Sequence, residues 1–469
     1  MSETSSGAER GAPRWFQRRA PRVRQPAPLI PWRVPSGRGA TEQPNAAGDP
    51  VPLTARFWLA VVLSGIATGL LGAFMMFILF SVEHLAYGHS SDSFEYAVEH
   101  SADLRRVLAM VVAGAVGGVA WYLLRRFTAG ERSDIDDALW NGTGDLSFRR
   151  SLGTSLISEV VIGLGASIGR ENAPKLMGGA TASWLSRPLR LGAAQRRLLV
   201  ACSAGAGLAC VYNVPLGGAL FTAELLVGSI SLPVMLPALL CSGIATATAW
   251  VYLPQQATYV GIPSYHFSMT LMIFAVVVGP VVGLVSVAWV RLIGFVSHHR
   301  PRGRAALVVP LFAFTVVGLM GIAYPQLFGN GKDMARDAFL GLGSIGLFGT
   351  LFALKPVATG LCLGSGANGG LFTPTLSTGA MLGGFLGAVW SMMWGGSPVG
   401  AFAMVGAAAM VGASMQAPLA AMALVLELTH SGISVLVPMM TATAGATALA
   451  RYVDGYSIYS ARLPAEASY

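Results

Sequence analysis

Two hexapeptides, Gly169-Arg170-Glu171-Asn172-Ala173-Pro174 and Gly369-Gly370-Leu371-Phe372-Thr373-Pro374, interrupt an otherwise very apolar chain. Each stands just before a further apolar run of helical character. Gly and Pro at such points predict helices that begin inside a membrane rather than at its surface. A helix start leaves backbone N–H groups unbonded and carries the positive end of the helix dipole. Deep in a bilayer, that cluster of donors is suited to holding an anion. Glu171 places an acid in one of the two starts, where it is either a simple helix cap or, given the cost of an acid at membrane depth, a functional group.

The elements that must position these segments follow from composition. The chain has 469 residues, of which 54% are hydrophobic and 11% charged. A soluble domain carries about 25% charged residues, so the pattern predicts an all-α polytopic membrane protein. No Asp, Glu, Lys or Arg occurs from Leu225 to Val290, or from Pro356 to Leu426. Each window is long enough for several spans of roughly 20 residues. The net charge is +9, and the first 50 residues hold eight Arg against four acids. That excess is read as positive-inside topology with contact to anionic lipid, or as a solvated disordered tail, and not as a nucleic-acid surface. Cys202, Cys210, Cys241 and Cys362 lie in apolar segments without metal-ligand spacing, and the seven His form no metal motif. No metal or organic cofactor is expected.

Residues 1–53 are Pro- and Arg-rich and have no apolar core of a cleavable signal peptide. A membrane domain is expected over 54–463, in halves of about 54–260 and 265–463, followed by a short tail over 464–469. Spans are predicted at Phe57–Val82, Val107–Leu124, Pro233–Tyr252, Met269–Val290 and Ala306–Ala323. Polar loops are predicted over His84–Arg106, Gly130–Arg150 and Gln326–Ala338. Two sets of shorter, Gly- and Pro-broken helices follow, at Leu152–Val227 and Leu342–Ala450. They repeat one another. Pro215 precedes Glu224 by nine residues, as Pro418 precedes Glu427, and Pro174 and Pro374 lie 41 and 44 residues before those prolines. Two such halves of broken, tilted helices in inverted topology place a site at the helix ends between them.

These segments resemble the CLC chloride channels and chloride/proton antiporters, over roughly Phe57 to Leu463. Gly169-Arg170-Glu171 resembles the family's G-R-E-G-P element, and Gly370-Leu371-Phe372-Thr373-Pro374 its G-x-F-x-P element. Asn213–Glu224 and Ala417–Thr429 resemble the two later Pro-containing helices, and Ser457–Ala461 the C-terminal element that supplies a pore tyrosine. The resemblance implies a prokaryotic-type protein of the cell membrane, without C-terminal CBS domains. It further implies a homodimer with one path per subunit for chloride or a similar bound anion. Glu171 is then the gate. Gly169, Arg170, Leu371, Phe372 and Tyr459 are then anion-binding, with backbone N–H groups holding the ion without a full opposite charge.

Three departures from the family pattern bear on mechanism. The G-S-G-x-P serine loop is absent, and aligning Asp134–Leu139 puts Gly130 at the serine position, with Ser133 or Thr128 as substitutes. The position of the antiporters' inner proton glutamate falls on Leu225. Glu224 beside it is either a possible proton path or a helix-end acid like Glu427. Lys175 follows the first break, where it attracts anions, pairs with an acid or snorkels. Arg170 is read as a structural partner of Asp134 or Asp136. Leu225 favours passive, channel-like conduction gated by protonation of Glu171, with chloride/proton antiport as the alternative. An enzyme built on Asp134, Asp136, Asp137 and Lys332 lacks any nucleophile–base pair or metal cluster, and a purely structural role predicts no anion flux.

Overall fold

The computed structural model describes residues 51–88, 93–140 and 142–463. The N-terminal basic stretch up to residue 50 and the tail over 464–469 lie outside the described residues. Among those described the chain is helical, apart from one antiparallel bridge between Gly169 and Gly370.

The first half contains α1 (Ala55–Tyr87), α2 (Phe94–Glu99), α3 (Asp103–Phe127), α4 (Ile135–Trp140) and α5 (Phe148–Gly163). It continues with α6 (Asn172–Ser186), α7 (Ala193–Tyr212), α8 (Pro215–Phe221), a π-helical turn over Thr222–Val227, and α9 (Leu232–Ala249). The second half contains α10 (Met269–His298), α11 (Ala305–Ala323), α12 (Lys332–Leu340) and α13 (Ile345–Gly364). It ends with α14 (Phe372–Met393), α15 (Val399–Met415), α16 (Pro418–Thr429) and α17 (Leu436–Val453). Eight of the described helices are long and apolar enough to cross a membrane.

Three predicted polar loops differ from the structure, because each holds a short helix. Ser93 Oγ accepts from Tyr96 N and starts α2. Asp134 Oδ1 accepts from the N–H groups of Asp136 and Asp137 and starts α4. α12 buries Met334, Ala335, Ala338 and Phe339 on one face beneath its charged side chains. Stretches of this length carry too few turns for apolar periodicity to stand out.

α1 shows the inside-out pattern of a membrane helix. Its buried face includes Ala60, Ser64, Gly65, Thr68, Gly69 and Gly72, while Leu59, Leu70, Phe74 and Phe77 are exposed. Lipid solvates the large side chains, so close backbone packing of small residues decides helix association. The same logic joins α6 to α7 and α14 to α15. A Cβ on Gly207 would lie 2.7 Å from Lys175 N, and one on Gly406 would lie 2.6 Å from Gly379 O. Any side chain there would force the paired helices apart.

The repeat appears as matched helix ends. α7 closes on Asn213 and α15 on Gln416, both in left-handed conformation with φ 57°. Two residues later Pro215 and Pro418 open α8 and α16, where a missing N–H costs nothing. Glu224 then accepts from Leu419 N at 3.2 Å and Ala420 N at 2.7 Å, at the start of the other half's α16. Glu427 accepts from Leu216 N at 3.1 Å and Gly217 N at 2.6 Å, at the start of α8. Each acid lies near the end of the helical run that follows its half's proline break and caps the corresponding helix of the other half.

Candidate anion site

The antiparallel bridge brings the starts of α6 and α14 face to face. Gly169 N donates to Gly370 O at 2.7 Å, and Gly370 N donates to Gly169 O at 2.6 Å. A Cβ on Gly370 would fall on the Glu171 carboxyl group, so the approach requires glycine. This corrects the reading of Gly169 as an anion ligand. Its N–H is bound to Gly370, and the residue serves the close approach instead.

Glu171 is 1% exposed and stands at the N-cap of α6, yet its side chain does not cap that helix. It reaches across the bridge to the start of α14. Oε1 accepts from Phe372 N at 2.8 Å, and Oε2 accepts from Tyr212 OH at 3.0 Å and Thr373 Oγ1 at 3.3 Å. A carboxylate oxygen therefore occupies the position where backbone N–H and helix dipole favour negative charge. Tyr212 OH also bonds Thr373 Oγ1 at 2.6 Å and accepts from Asn330 Nδ2 at 3.4 Å. Tyr212, Thr373 and Asn330 were not among the sequence candidates. The available signal for Tyr212 was its place just before the Asn213-Val214-Pro215 break, which aims that helix end at the same centre.

A buried lysine fixes the surrounding loops. Lys355 Nζ donates to Ser167 Oγ and Gly329 O, both at 2.9 Å, and to Leu327 O at 3.3 Å. It ties the segment before Gly169 to the segment before Asn330. A lone charge in the apolar helix α13 was the sequence signal that could have revealed it.

Glu171 lies between two polar cavities, since Arg170 lines one and Asn172 the other. The first, about 200 Å³, is bordered by Glu83, Arg170, Asn330, Lys332 and Asp333. The Arg170 guanidinium stacks 5.3 Å from the Tyr212 ring centroid and 5.7 Å from that of Phe80. The reading of Arg170 as a partner of Asp134 or Asp136 is corrected by this placement, because both aspartates border the opposite cavity.

That second cavity, about 20 Å³, is bordered by Asp136, Asn172, Lys175, Leu371, Tyr459 and Arg462. Lys175 Nζ sits 4.8 Å from the ring centroids of both Phe221 and Tyr459. Tyr459 is held in place by its neighbours. Ile458 N donates to Ser414 O at 2.7 Å, and Arg291 holds Asp454 through bonds of 3.0 and 2.7 Å. Gly130 does not border this cavity. It is exposed, and a Cβ there would meet no atom within 4 Å. Of the two substitutes, Ser133 borders the cavity, while Thr128 donates to Leu124 O at 2.6 Å. Leu225 is packed in the core at 1% exposure. Both oxygens of Glu224 are engaged at the start of α16, a helix-end role.

Two convergent helix starts, a carboxylate seated on one of them and a cavity on either side define a membrane anion transporter of broken helices. Residues 113–451 match the sequence profile described as "Voltage gated chloride channel", and the chain belongs to that CLC family. It is 29% identical over 411 residues to "Voltage-gated ClC-type chloride channel ClcB" of Salmonella typhi, covering 86% of this chain and 97% of that protein. It is 28% identical over 374 residues to "H(+)/Cl(-) exchange transporter ClcA" of Vibrio campbellii, covering 75% of this chain and 78% of that protein. Its fold is similar to that of a slow cyanobacterial Cl−/H+ antiporter, with TM-score 0.75 and 21% identity over 87% of this chain and 97% of that one.

Proposed function

We propose that this protein exchanges chloride for protons across a bacterial membrane, with Glu171 as the gate shared by the two ions. The observation that carries this reading is the Glu171 carboxylate on Phe372 N. The donors that hold it suit a chloride ion equally well, so ion and side chain compete for one place. A proton on Glu171 removes the charge that seats it and lets chloride enter. The sequence alone favoured passive conduction because Leu225 stands where an inner proton acceptor is expected. Exchange is preferred here because a relative named as an H(+)/Cl(-) exchange transporter aligns over three quarters of the chain. Passive conduction remains the second reading, supported by Leu225 and by the relative named as a channel.

In this reading, Phe372 and Leu371 present the start of α14 to the ion. Tyr459 supplies a hydroxyl from the second cavity, and Lys175 lowers the cost of an anion there. The active unit is a homodimer with one chloride path per subunit. The test is the reversal potential of the purified protein in liposomes, under a chloride gradient and a separate pH gradient. A shift with the proton gradient is expected. A potential that follows chloride alone establishes passive conduction instead. Glu171→Gln mimics the protonated gate and should make chloride flux insensitive to pH, and retained pH dependence removes Glu171 from the gate.

A further inference from the structure

Exchange needs a proton route from the side of the membrane opposite the first cavity. Leu225 cannot bind a proton, and Glu224 spends both oxygens on α16. The structure offers a different carboxyl group beside that position. α4 packs against the π-helical turn that carries Leu225, and Trp140 Nε1 donates to Leu226 O at 3.2 Å. Asp136 projects from α4 into the cavity that also holds Lys175 and Tyr459.

We propose that Asp136 is the proton-exchanging carboxyl group of the second cavity, standing in for the side chain that Leu225 lacks. The proposal rests on the exchange reading above. Three observations carry it. First, Asp136 borders the same cavity as Leu371, so a proton released from it enters the space next to the seat of Glu171. Second, Asp136 Oδ1 is buried without a hydrogen-bond partner, whereas the neighbouring Asp134 is occupied in starting α4. A carboxyl oxygen buried without a donor is suited to carrying a proton rather than a charge. Third, burial first, then the Asp134 carboxylate, pushes Asp136 up to about 7, so it exchanges protons near neutral pH.

The charged groups around Asp136 come from four elements. Asp134 and Asp137 flank it, Lys175 faces it from α6, and Arg462 faces it from the C-terminal turn. From α7, Arg197 is directed to Leu139 O at 2.6 Å. Lys175 and Arg462 are cations, so a chloride ion entering the cavity offsets their charge and favours protonated Asp136. Anion arrival and proton uptake then support each other. The proton binds Asp136, passes through the polar cavity to the Glu171 carboxylate, and leaves Asp136 ionised for the next proton.

The test compares proton and chloride fluxes in liposomes for the wild type and for Asp136→Asn, Asp136→Glu and Asp136→Asn with Leu225→Glu. Asp136→Asn should lower proton flux about a hundredfold, the low end for a positioned proton-transfer group, while chloride flux persists. Asp136→Glu and the double variant should each restore proton flux. Wild-type coupling in Asp136→Asn overturns the assignment of Asp136 and leaves the exchange reading intact. Equal loss of chloride and proton flux in Asp136→Asn also overturns it, because that result places Asp136 in the anion path or the fold. A wild type that moves no protons overturns both readings.

Discussion

Replacing Tyr212 by Phe removes one of the three donors that seat Glu171 and leaves the packing almost unchanged. The ring keeps its place beside Phe372, 5.9 Å between centroids, and beneath the Arg170 guanidinium. What disappears is the 3.0 Å bond to Oε2 and the relay to Thr373 Oγ1. A hydrogen bond to a charged group contributes about 1.5–3 kcal/mol, so the seated carboxylate should be weakened by roughly tenfold to a hundredfold. Chloride should then displace Glu171 more easily, and half-saturating chloride should fall by a factor in that range. Because Phe372 N still holds Oε1, the seat is weakened and not abolished. The assay is chloride efflux from liposomes at neutral pH across a series of chloride concentrations, with Glu171→Gln as the reference for an emptied seat. If half-saturating chloride is unchanged in Tyr212→Phe while Glu171→Gln alters it, Tyr212 does not hold the gate.

Other perturbations give separate readings. Tyr459→Phe keeps the ring contacts with Lys175 and Phe221 and should weaken anion binding by about 1.5–3 kcal/mol, the worth of a hydrogen bond to a charged group. Calorimetric titration with chloride showing unaltered affinity would take the hydroxyl out of the path. Glu224→Ala leaves two N–H groups of α16 without their acceptor and should cost about 1–3 kcal/mol, as should Glu427→Ala at α8. A lower Tm in detergent with unchanged anion selectivity is the expected pair of results for both. Glu95, on α2 outside the spans, is pushed from 4.5 to about 8 by burial first, then by Asp337, Asp333 and Glu99. The folded state therefore keeps a proton that the unfolded chain loses, and stability falls as pH rises between 4.5 and about 8. Glu95→Gln should flatten the Tm profile over that window, and an unchanged slope would remove Glu95 as its cause.

Long apolar runs made the spans legible, and their bounds in the structure differ from those read in the sequence mainly at the ends. The repeat was legible because Gly, Pro and Glu mark helix starts and stops at fixed offsets. Its consequence, that each Glu caps a helix of the opposite half, was not. Spacing along a chain carries no information about which ends meet in space. The seat of Glu171 shows the same division. Gly370 and Phe372 were visible from their motif, whereas Tyr212 and Lys355 act from other helices, marked only by the break that follows one and by the lone charge of the other. The assignment of Gly130 failed because it relied on counting residues back from Asp134 across a loop whose path differs from the family's pattern. Arg170 was misplaced for a related reason. Residues two apart at a helix start project in different directions, so Arg170 and Asn172 reach opposite cavities.

The crossed caps bear on how such a chain can be made. While only the first half has left the ribosome, Glu224 has no donor and the start of α8 has no acceptor. Both groups stay without these partners until α16 is placed beside them. The late segment therefore locks the early one, and premature termination leaves a product whose defect lies in residues already synthesised. Two separately expressed halves should fail to mature alone and should rescue one another when made together.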